Sequence, residues 1–171
     1  AALTASMLAA GGSRQMSYQQ ILNAMFPMAT SVSSQVDKEM TVFSATTHVD
    51  NLDAFYKIFR AMLLDPGWRQ EDFQRLKDDA INFLRVSLRG NNDEELGKEV
   101  LYQQIYAGHP YGHHNRGTVS GLNRIAIKDL QDFYKAHYAQ DNLILGLAGG
   151  YSEAFLTRVR QDFMRLPKSP A

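Results

Sequence analysis

Three histidines are the side chains in this sequence that come nearest to a metal site. His109, His113 and His114 lie within one glycine-rich loop, residues 108–121. Imidazole nitrogens are common zinc ligands, so histidines that cluster in a loop can bind a metal ion together. The structural alternative is that His109 makes a local hydrogen bond and that the His113–His114 pair is solvated. The sequence pattern favours this structural alternative. His109, His113 and His114 nevertheless remain the candidates for metal ligands in the chain.

Other kinds of catalytic site do not fit the sequence. The chain has no cysteine, which excludes disulfides and thiolate metal sites. No serine lies in the G-x-S-x-G pattern of α/β-hydrolases, and the glycine pairs are not followed by the Lys-Ser or Lys-Thr of a phosphate loop. Asp78–Asp79 and Glu94–Glu95 are adjacent pairs in predicted helices, where neighbouring side chains point in different directions. These carboxylates are therefore interpreted as solvated surface groups.

The composition is that of an ordinary globular protein, and its length fits one domain over residues 1–171. The chain is 44% hydrophobic and 21% charged, and 18 basic residues balance 18 acidic ones. A zero net charge gives no reason to expect nucleic acid as a partner. No apolar run approaches the roughly 20 residues of a membrane span. The absence of cysteine is compatible with a periplasmic or secreted bacterial protein but leaves the compartment open.

Hydrophobic periodicity predicts an α+β fold in which helices predominate. The predicted helices cover residues 1–9, 18–25, 51–64, 70–88, 94–107, 127–138 and 153–163. Two antiparallel strands, 28–36 and 39–48, are predicted around a turn near Asp37, and the apolar run 142–149 predicts a buried strand. The expected architecture is a mixed, largely antiparallel sheet packed against helices. The inward face of the helix over 94–107 is predicted to consist of Leu96, Val100, Leu101 and Ile105.

Several short motifs follow one another along the chain in a characteristic order. The strongest block is Gly108-His109-Pro110-Tyr111-Gly112, followed by Gly117-Thr118. Further motifs are Met7-Leu8, Gly11-Gly12, Thr41-Val42-Phe43, Asp65-Pro66, Phe73, Arg75, Leu122, Ile125, Asp129-Leu130, Phe133-Tyr134, His137-Tyr138 and Asn142. Together they resemble the amino-terminal half-domain of the insulinase or pitrilysin (M16) family of zinc peptidases, and the resemblance implies a half-domain of the LuxS/MPP-like metallohydrolase type. Because the chain starts within an apparent helix and ends at Lys168-Ser169-Pro170-Ala171, we expect it to be a fragment of a longer protein.

The resemblance also implies where a zinc site would lie, and the residues there are unsuited to zinc. Active members carry H-x-x-E-H on the first helix, where two histidines bind zinc and the glutamate acts on water. The five matching positions here are Ala2, Leu3, Thr4, Ala5 and Ser6. The third family ligand, a glutamate, falls on Phe83, and a second family acid falls on Leu76; periodicity places both residues on the apolar face of the helix over 70–88. These side chains are not zinc ligands, and H-x-x-E-H occurs nowhere in the 171 residues. We therefore expect no cofactor in this chain and no catalysis by it alone, with zinc only in an active half elsewhere.

Three functions are compatible with this resemblance. The first is a non-catalytic half that encloses peptides together with a second M16-like half, in the same polypeptide or in a partner subunit. The second is part of an active zinc metalloendopeptidase whose catalytic motif lies elsewhere in the protein or in a partner. The third is a structural assembly subunit. Substrate peptides of the family add as a strand to a sheet edge, and the predicted hairpin 28–48 would supply that edge here, with Ser33-Ser34 near the Asn-Ala pair of active relatives.

Overall fold

A computed structural model describes residues 1–168, so the last three residues of the C-terminal stretch named above lie outside the described part. The described residues form nine α-helices and two strands. The helices are α1 (Ala2–Ala10), α2 (Tyr18–Met25), α3 (Leu52–Leu64), α4 (Gln70–Asn82), α5 (Arg89–Asn91), α6 (Asp93–Ile105), α7 (Val119–Arg124), α8 (Ile127–His137) and α9 (Glu153–Phe163). The strands are β1 (Ser33–Val36) and β2 (Thr41–Ser44), and a π-helical segment, Phe83–Leu88, joins α4 to α5. No helix among residues 1–168 is long and apolar enough to cross a membrane.

Side-chain caps start two helices at the residues that the sequence predicts. Ser17 and Gln20 form a reciprocal capping box at α2: the Ser17 hydroxyl accepts the Gln20 N–H at 3.2 Å, and Gln20 Oε1 accepts the Ser17 N–H at 2.8 Å. The Ser152 hydroxyl accepts the Phe155 N–H at 3.1 Å and starts α9. Because these bonds satisfy amide groups that have no partner inside the helix, the predicted starts of α2 and α9 are confirmed.

Helix α1 is central to the core, because its side chains belong to two hydrophobic clusters. Met7 packs in the first cluster with residues of α4, the π-helical segment, α7 and α8. Leu8 packs in the second cluster with residues of α3 and α9. The glycines after α1 allow the chain to turn closely: a Cβ atom on Gly11 would lie 2.6 Å from the Met7 carbonyl oxygen. Gly12 has a φ of +72°, a left-handed conformation that favours glycine.

The hairpin is present but is shorter than the sequence predicts. β1 and β2 pair in antiparallel fashion, with Ser34 opposite Phe43. The Asp37 N–H donates to the Met40 carbonyl at 2.9 Å, which confirms the turn near Asp37. The Phe43 ring packs against Tyr138, with ring centroids 6.3 Å apart. The hairpin is thereby attached to the second cluster on the helical side.

The predicted strand over residues 142–149 is wrong. Residues 143–148 form no regular secondary structure, and they pair with no strand of the described chain. Ile144 is 96% exposed, and within the segment only Leu147 is half-buried against the second cluster. An extended segment needs a neighbouring strand to satisfy its backbone groups, and none is provided by residues 1–168. The sheet therefore consists of one antiparallel strand pair in a mostly helical structure, and it is not the mixed sheet that the sequence predicts.

Helix α6 also differs from the prediction. Leu96 packs against the first cluster, but the other three predicted core residues of this helix are exposed: Val100, Leu101 and Ile105. The helix packs on short segments, namely the π-helical segment, α5 and the turn Pro110–Gly112. These short segments cover only part of its apolar surface, and the rest is exposed among residues 1–168.

Candidate functional site

The positions that the resemblance assigns to the catalytic motif lie on α1, which packs into the core. Ala5 is fully buried, and Ala2 and Ser6 are partly buried. Their neighbours Leu3 and Met7 belong to the first hydrophobic cluster, and α1 packs directly on α4. Methyl groups and one hydroxyl offer no nitrogen, carboxylate or thiolate to a metal ion. The arrangement is one of close helix packing.

The resemblance assigns the third zinc ligand to Phe83 and a second acid to Leu76, and both residues extend this apolar surface. Leu76 on α4 and Phe83, the first residue of the π-helical segment, are partly buried and pack against the first cluster. The guanidinium carbon of Arg116 lies 3.9 Å from the centroid of the Phe83 ring. A cation over an aromatic face is a favourable contact, whereas a positive group repels a metal dication. The residues at these positions therefore do not fit zinc.

The histidine loop does not bring its imidazoles together as a metal site. His109 Nδ1 accepts the Tyr111 N–H at 3.2 Å, and the two rings pack edge to face with centroids 4.8 Å apart. His114 Nδ1 accepts the Arg116 N–H at 3.1 Å, and His113 is exposed. Among residues 1–168 no group of three or more His, Cys, Asp and Glu side chains has the arrangement of a metal site. The local hydrogen bond of His109 and the exposure of His113 agree with the structural interpretation, whereas His114 is partly buried and is not solvated as that interpretation expects.

His114 lies beside a carboxylate but is kept neutral by burial. Its Nε2 atom is 3.9 Å from Glu99 Oε1. Burial lowers the pKa of His114; Glu99 acts in the opposite direction, and Arg116, Lys38 and His113 lower the pKa further. At pH 7 the imidazole is therefore neutral and forms no ion pair with Glu99.

A cavity between the hairpin turn and α6 is the site that sequence reasoning missed. Its volume is about 380 Å³. Its lining consists of Asp37, Lys38, Glu39, Met40, Glu99, Tyr102, Tyr106, Tyr111 and Asn115. One sequence signal points to it in hindsight, because Tyr102 and Tyr106 are four residues apart and so share one helix face. The turn residues and the tyrosines are more than sixty positions apart along the chain, so periodicity could not bring them together.

Comparison with known proteins relates the chain to parts of larger peptidases. No protein-family model matches it. It is 20% identical over 132 residues to the beta subunit of the mitochondrial-processing peptidase of Caenorhabditis elegans, an alignment that covers 77% of this chain and 28% of that protein. It is also 20% identical over 140 residues to a probable mitochondrial-processing peptidase subunit beta of Arabidopsis thaliana, covering 81% of this chain and 26% of that protein. The chain thus spans about a quarter of the length of these curated relatives.

Solved structures show the same fold. The M16 peptidase inactive domain from Pseudomonas fluorescens superposes with a TM-score of 0.86 at 23% identity, over 99% of this chain and 41% of that chain. A protease from Helicobacter pylori superposes with a TM-score of 0.79 at 14% identity, and the match covers 99% of this chain and 41% of that protease chain. The periplasmic protease PqqL from Escherichia coli superposes with a TM-score of 0.74 at 12% identity, and the match covers 100% of this chain and 20% of the PqqL chain. The fold is that of an M16 peptidase domain. The resemblance to the M16 family that the motifs indicate is confirmed.

Proposed function

We propose that this chain is a non-catalytic M16-like half-domain that forms one wall of a peptide-binding chamber with a second M16-like half. The proposal rests on the residues that lie at the positions where active relatives bind zinc. Ala2, Ala5 and Ser6 lie on a helix packed into the core, and Arg116 covers Phe83 where the family has a ligand. The similarity to a structure described as an M16 inactive domain supports the same conclusion.

The second half is proposed from the share of the matched proteins that the chain covers. It spans at most 41% of the three M16 structures above, so the matched proteins have much further chain beside the region that corresponds to residues 1–168. Apolar surface on α6 and over residues 143–148 is exposed in the described chain and would be covered by such a partner. The second half belongs either to the same polypeptide or to a partner subunit.

The hairpin is the element that we propose to bind peptides. In the two-stranded sheet, β1 and β2 are each paired on one side only, so each has one free edge among the described residues. An extended peptide can add to such an edge through main-chain hydrogen bonds, which tolerate many sequences. The half-domain would thus hold a peptide without cleaving it.

A cleavage assay on a mixed pool of unfolded peptides tests this function. The chain is assayed alone and together with the longer polypeptide or a co-purifying partner, each with and without a chelator. We expect no cleavage by the chain alone and peptide binding in the assembled form. Chelator-sensitive cleavage by the chain alone would overturn the proposal.

Two alternatives are distinguished by the same assay. The relatives are named peptidases and proteases, and this favours an active zinc metalloendopeptidase elsewhere in the polypeptide as the second candidate. Cleavage by the assembled protein, but not by the chain, would indicate that the chain is the inactive half of an active enzyme. An assembly that neither binds nor cleaves peptides would indicate a structural subunit instead.

A further inference from the structure

The last carbonyl of strand β1 faces the free edge of the hairpin. The Asp37 N–H donates to the Met40 carbonyl at 2.9 Å, so it points across the hairpin toward β2. In a trans peptide unit the C=O and N–H groups point in opposite directions. The Val36 carbonyl shares its peptide unit, which is trans, with the Asp37 N–H, and it therefore points away from β2. It belongs to the row of main-chain groups to which an added strand would bond.

A side chain already occupies this carbonyl. Asn115 Nδ2 donates to the Val36 carbonyl oxygen at 3.2 Å. A side-chain amide has the same donor and acceptor groups as a main-chain peptide, so Asn115 takes the place that an N–H of an added strand would take. Asn115 is half-buried, and its Oδ1 atom makes no hydrogen bond within residues 1–168. The donation to Val36 is therefore the bond that orients this amide.

The loop around Asn115 is attached to the hairpin turn at two further points. Lys38 Nζ donates to the His113 carbonyl, and the Tyr111 hydroxyl donates to the Glu39 carboxylate. A loop that covers the edge of a sheet in this way limits what can pair with that edge. A peptide that displaced Asn115 would have to lift the loop from the turn and break these bonds as well.

We propose that Asn115 is the end stop for a peptide that adds to β1. Main-chain groups two residues apart in a strand face the same edge, so Ser34 presents its carbonyl beside that of Val36. A peptide that pairs with Ser34 can continue toward the start of β1. At the turn end, Asn115 fills the place of the next peptide N–H, and the added strand ends there.

In this role Asn115 is a positioning residue, because it limits how far toward the turn a peptide can lie on the edge. The inference rests on the proposed function above, which supplies the peptide. It makes an unusual prediction: removal of the Asn115 side chain should improve peptide binding, because the Val36 carbonyl becomes free to accept one more hydrogen bond.

An N-methyl scan of one peptide locates the hydrogen bonds that the edge makes. The probe is an extended, uncharged peptide of about eight residues, capped at both ends, in a series in which each member carries one N-methyl group. Methylation removes an N–H, so it should weaken binding by about fivefold at each position whose N–H bonds to β1. Titration calorimetry compares the unchanged protein with Asn115→Ala, each in the assembled form used for the cleavage assay.

We expect one additional sensitive position in Asn115→Ala, two residues from a position that is sensitive in both proteins. The unmethylated peptide should bind Asn115→Ala about three- to fivefold more tightly than the unchanged protein. Asn142→Ala is the matched control, because Asn142 Nδ2 likewise donates to a main-chain carbonyl, that of His137 at 2.9 Å. The control should change neither the affinity nor the sensitive positions. Asn115→Ser, whose side chain is shorter by one bond, replaces Asn115→Ala if thermal melts show that the alanine variant does not fold.

The outcomes separate the end stop from the proposed function. The same set of sensitive positions in the unchanged protein and in Asn115→Ala would overturn the end stop and leave peptide addition to the hairpin intact. An additional sensitive position in Asn142→Ala as well would overturn the assignment to Asn115. No binding of any peptide to either protein would overturn the proposed function, and the end stop with it.

Discussion

Helix α1 and residues 143–148 are both short apolar segments, yet one lies in the core and the other on the surface. Leu8 of α1 is fully buried, whereas Ile144 is 96% exposed. A helix pairs its own backbone groups, so side-chain packing alone is enough to bury it. An extended segment leaves its N–H and C=O groups unpaired until a neighbouring strand is present. The comparison shows that the apolar character of a segment predicts burial only where the backbone hydrogen bonds can also be satisfied.

The largest predicted effect is at Leu8. Leu8→Ala removes packing from the second hydrophobic cluster and is expected to lower the free energy of unfolding by about 2–5 kcal/mol. Ile144→Ala is the matched control and should change the free energy of unfolding by less than about 0.5 kcal/mol. Urea denaturation of both variants measures the difference. Equal losses would mean that residues 143–148 are packed in solution.

A smaller effect is expected at Phe83. Periodicity alone places this ring on a buried helix face, where an unpaired carboxylate would be strongly destabilising. In the structure the ring is only partly buried and lies under Arg116, which can pair with a carboxylate. Phe83→Glu should therefore lower the free energy of unfolding by about 1–3 kcal/mol.

The Arg116→Gln background provides the control for Phe83→Glu. Removal of the guanidinium leaves the new carboxylate without its cation, so the loss caused by Phe83→Glu should be larger in this background. Thermal melts of the two single variants and the double variant give the comparison. Identical losses in both backgrounds would show that Arg116 does not contact residue 83 in solution.

The sequence predicts the parts of this fold that depend on neighbouring residues. The start of α2 after Ser17, the hairpin turn near Asp37 and the start of α9 after Ser152 all follow from local patterns, and all are confirmed. Whether residues 143–148 and the outer face of α6 are buried depends on the elements that pack beside them. No local sequence pattern contains that information. The contact of Arg116 with Phe83 and the tyrosine cavity join distant segments and were missed for the same reason.

The smallest effect is expected at Tyr134, in the core region that holds Leu8 and Leu147, and it changes at high pH. Tyr134 packs against the same cluster and donates its hydroxyl to the Leu63 carbonyl at 2.8 Å. Burial raises the pKa of Tyr134 to about 12. Since the folded pKa is above the unfolded value, this contribution to stability is complete below about pH 10 and is lost as the pH rises toward 12.

Tyr134→Phe tests that contribution. At pH 7 the free energy of unfolding of the variant should be about 1 kcal/mol lower, because the hydrogen bond to the Leu63 carbonyl is lost. Between pH 10 and 12 its unfolding free energy should decline less steeply than that of the unchanged chain. Urea denaturation at several pH values measures both slopes, and parallel slopes would assign the alkaline loss to other groups.

The central claim, that the helix carrying Ala2, Ala5 and Ser6 holds no zinc, is tested most directly by elemental analysis. The chain is purified without a histidine tag, incubated with zinc, freed of loosely bound metal and analysed for zinc per chain. The account predicts no stoichiometric zinc and a melting temperature that does not change when a chelator is added. One tightly bound zinc per chain would contradict it, and alanine variants of His109, His113 and His114 would then show whether the histidine loop holds the ion.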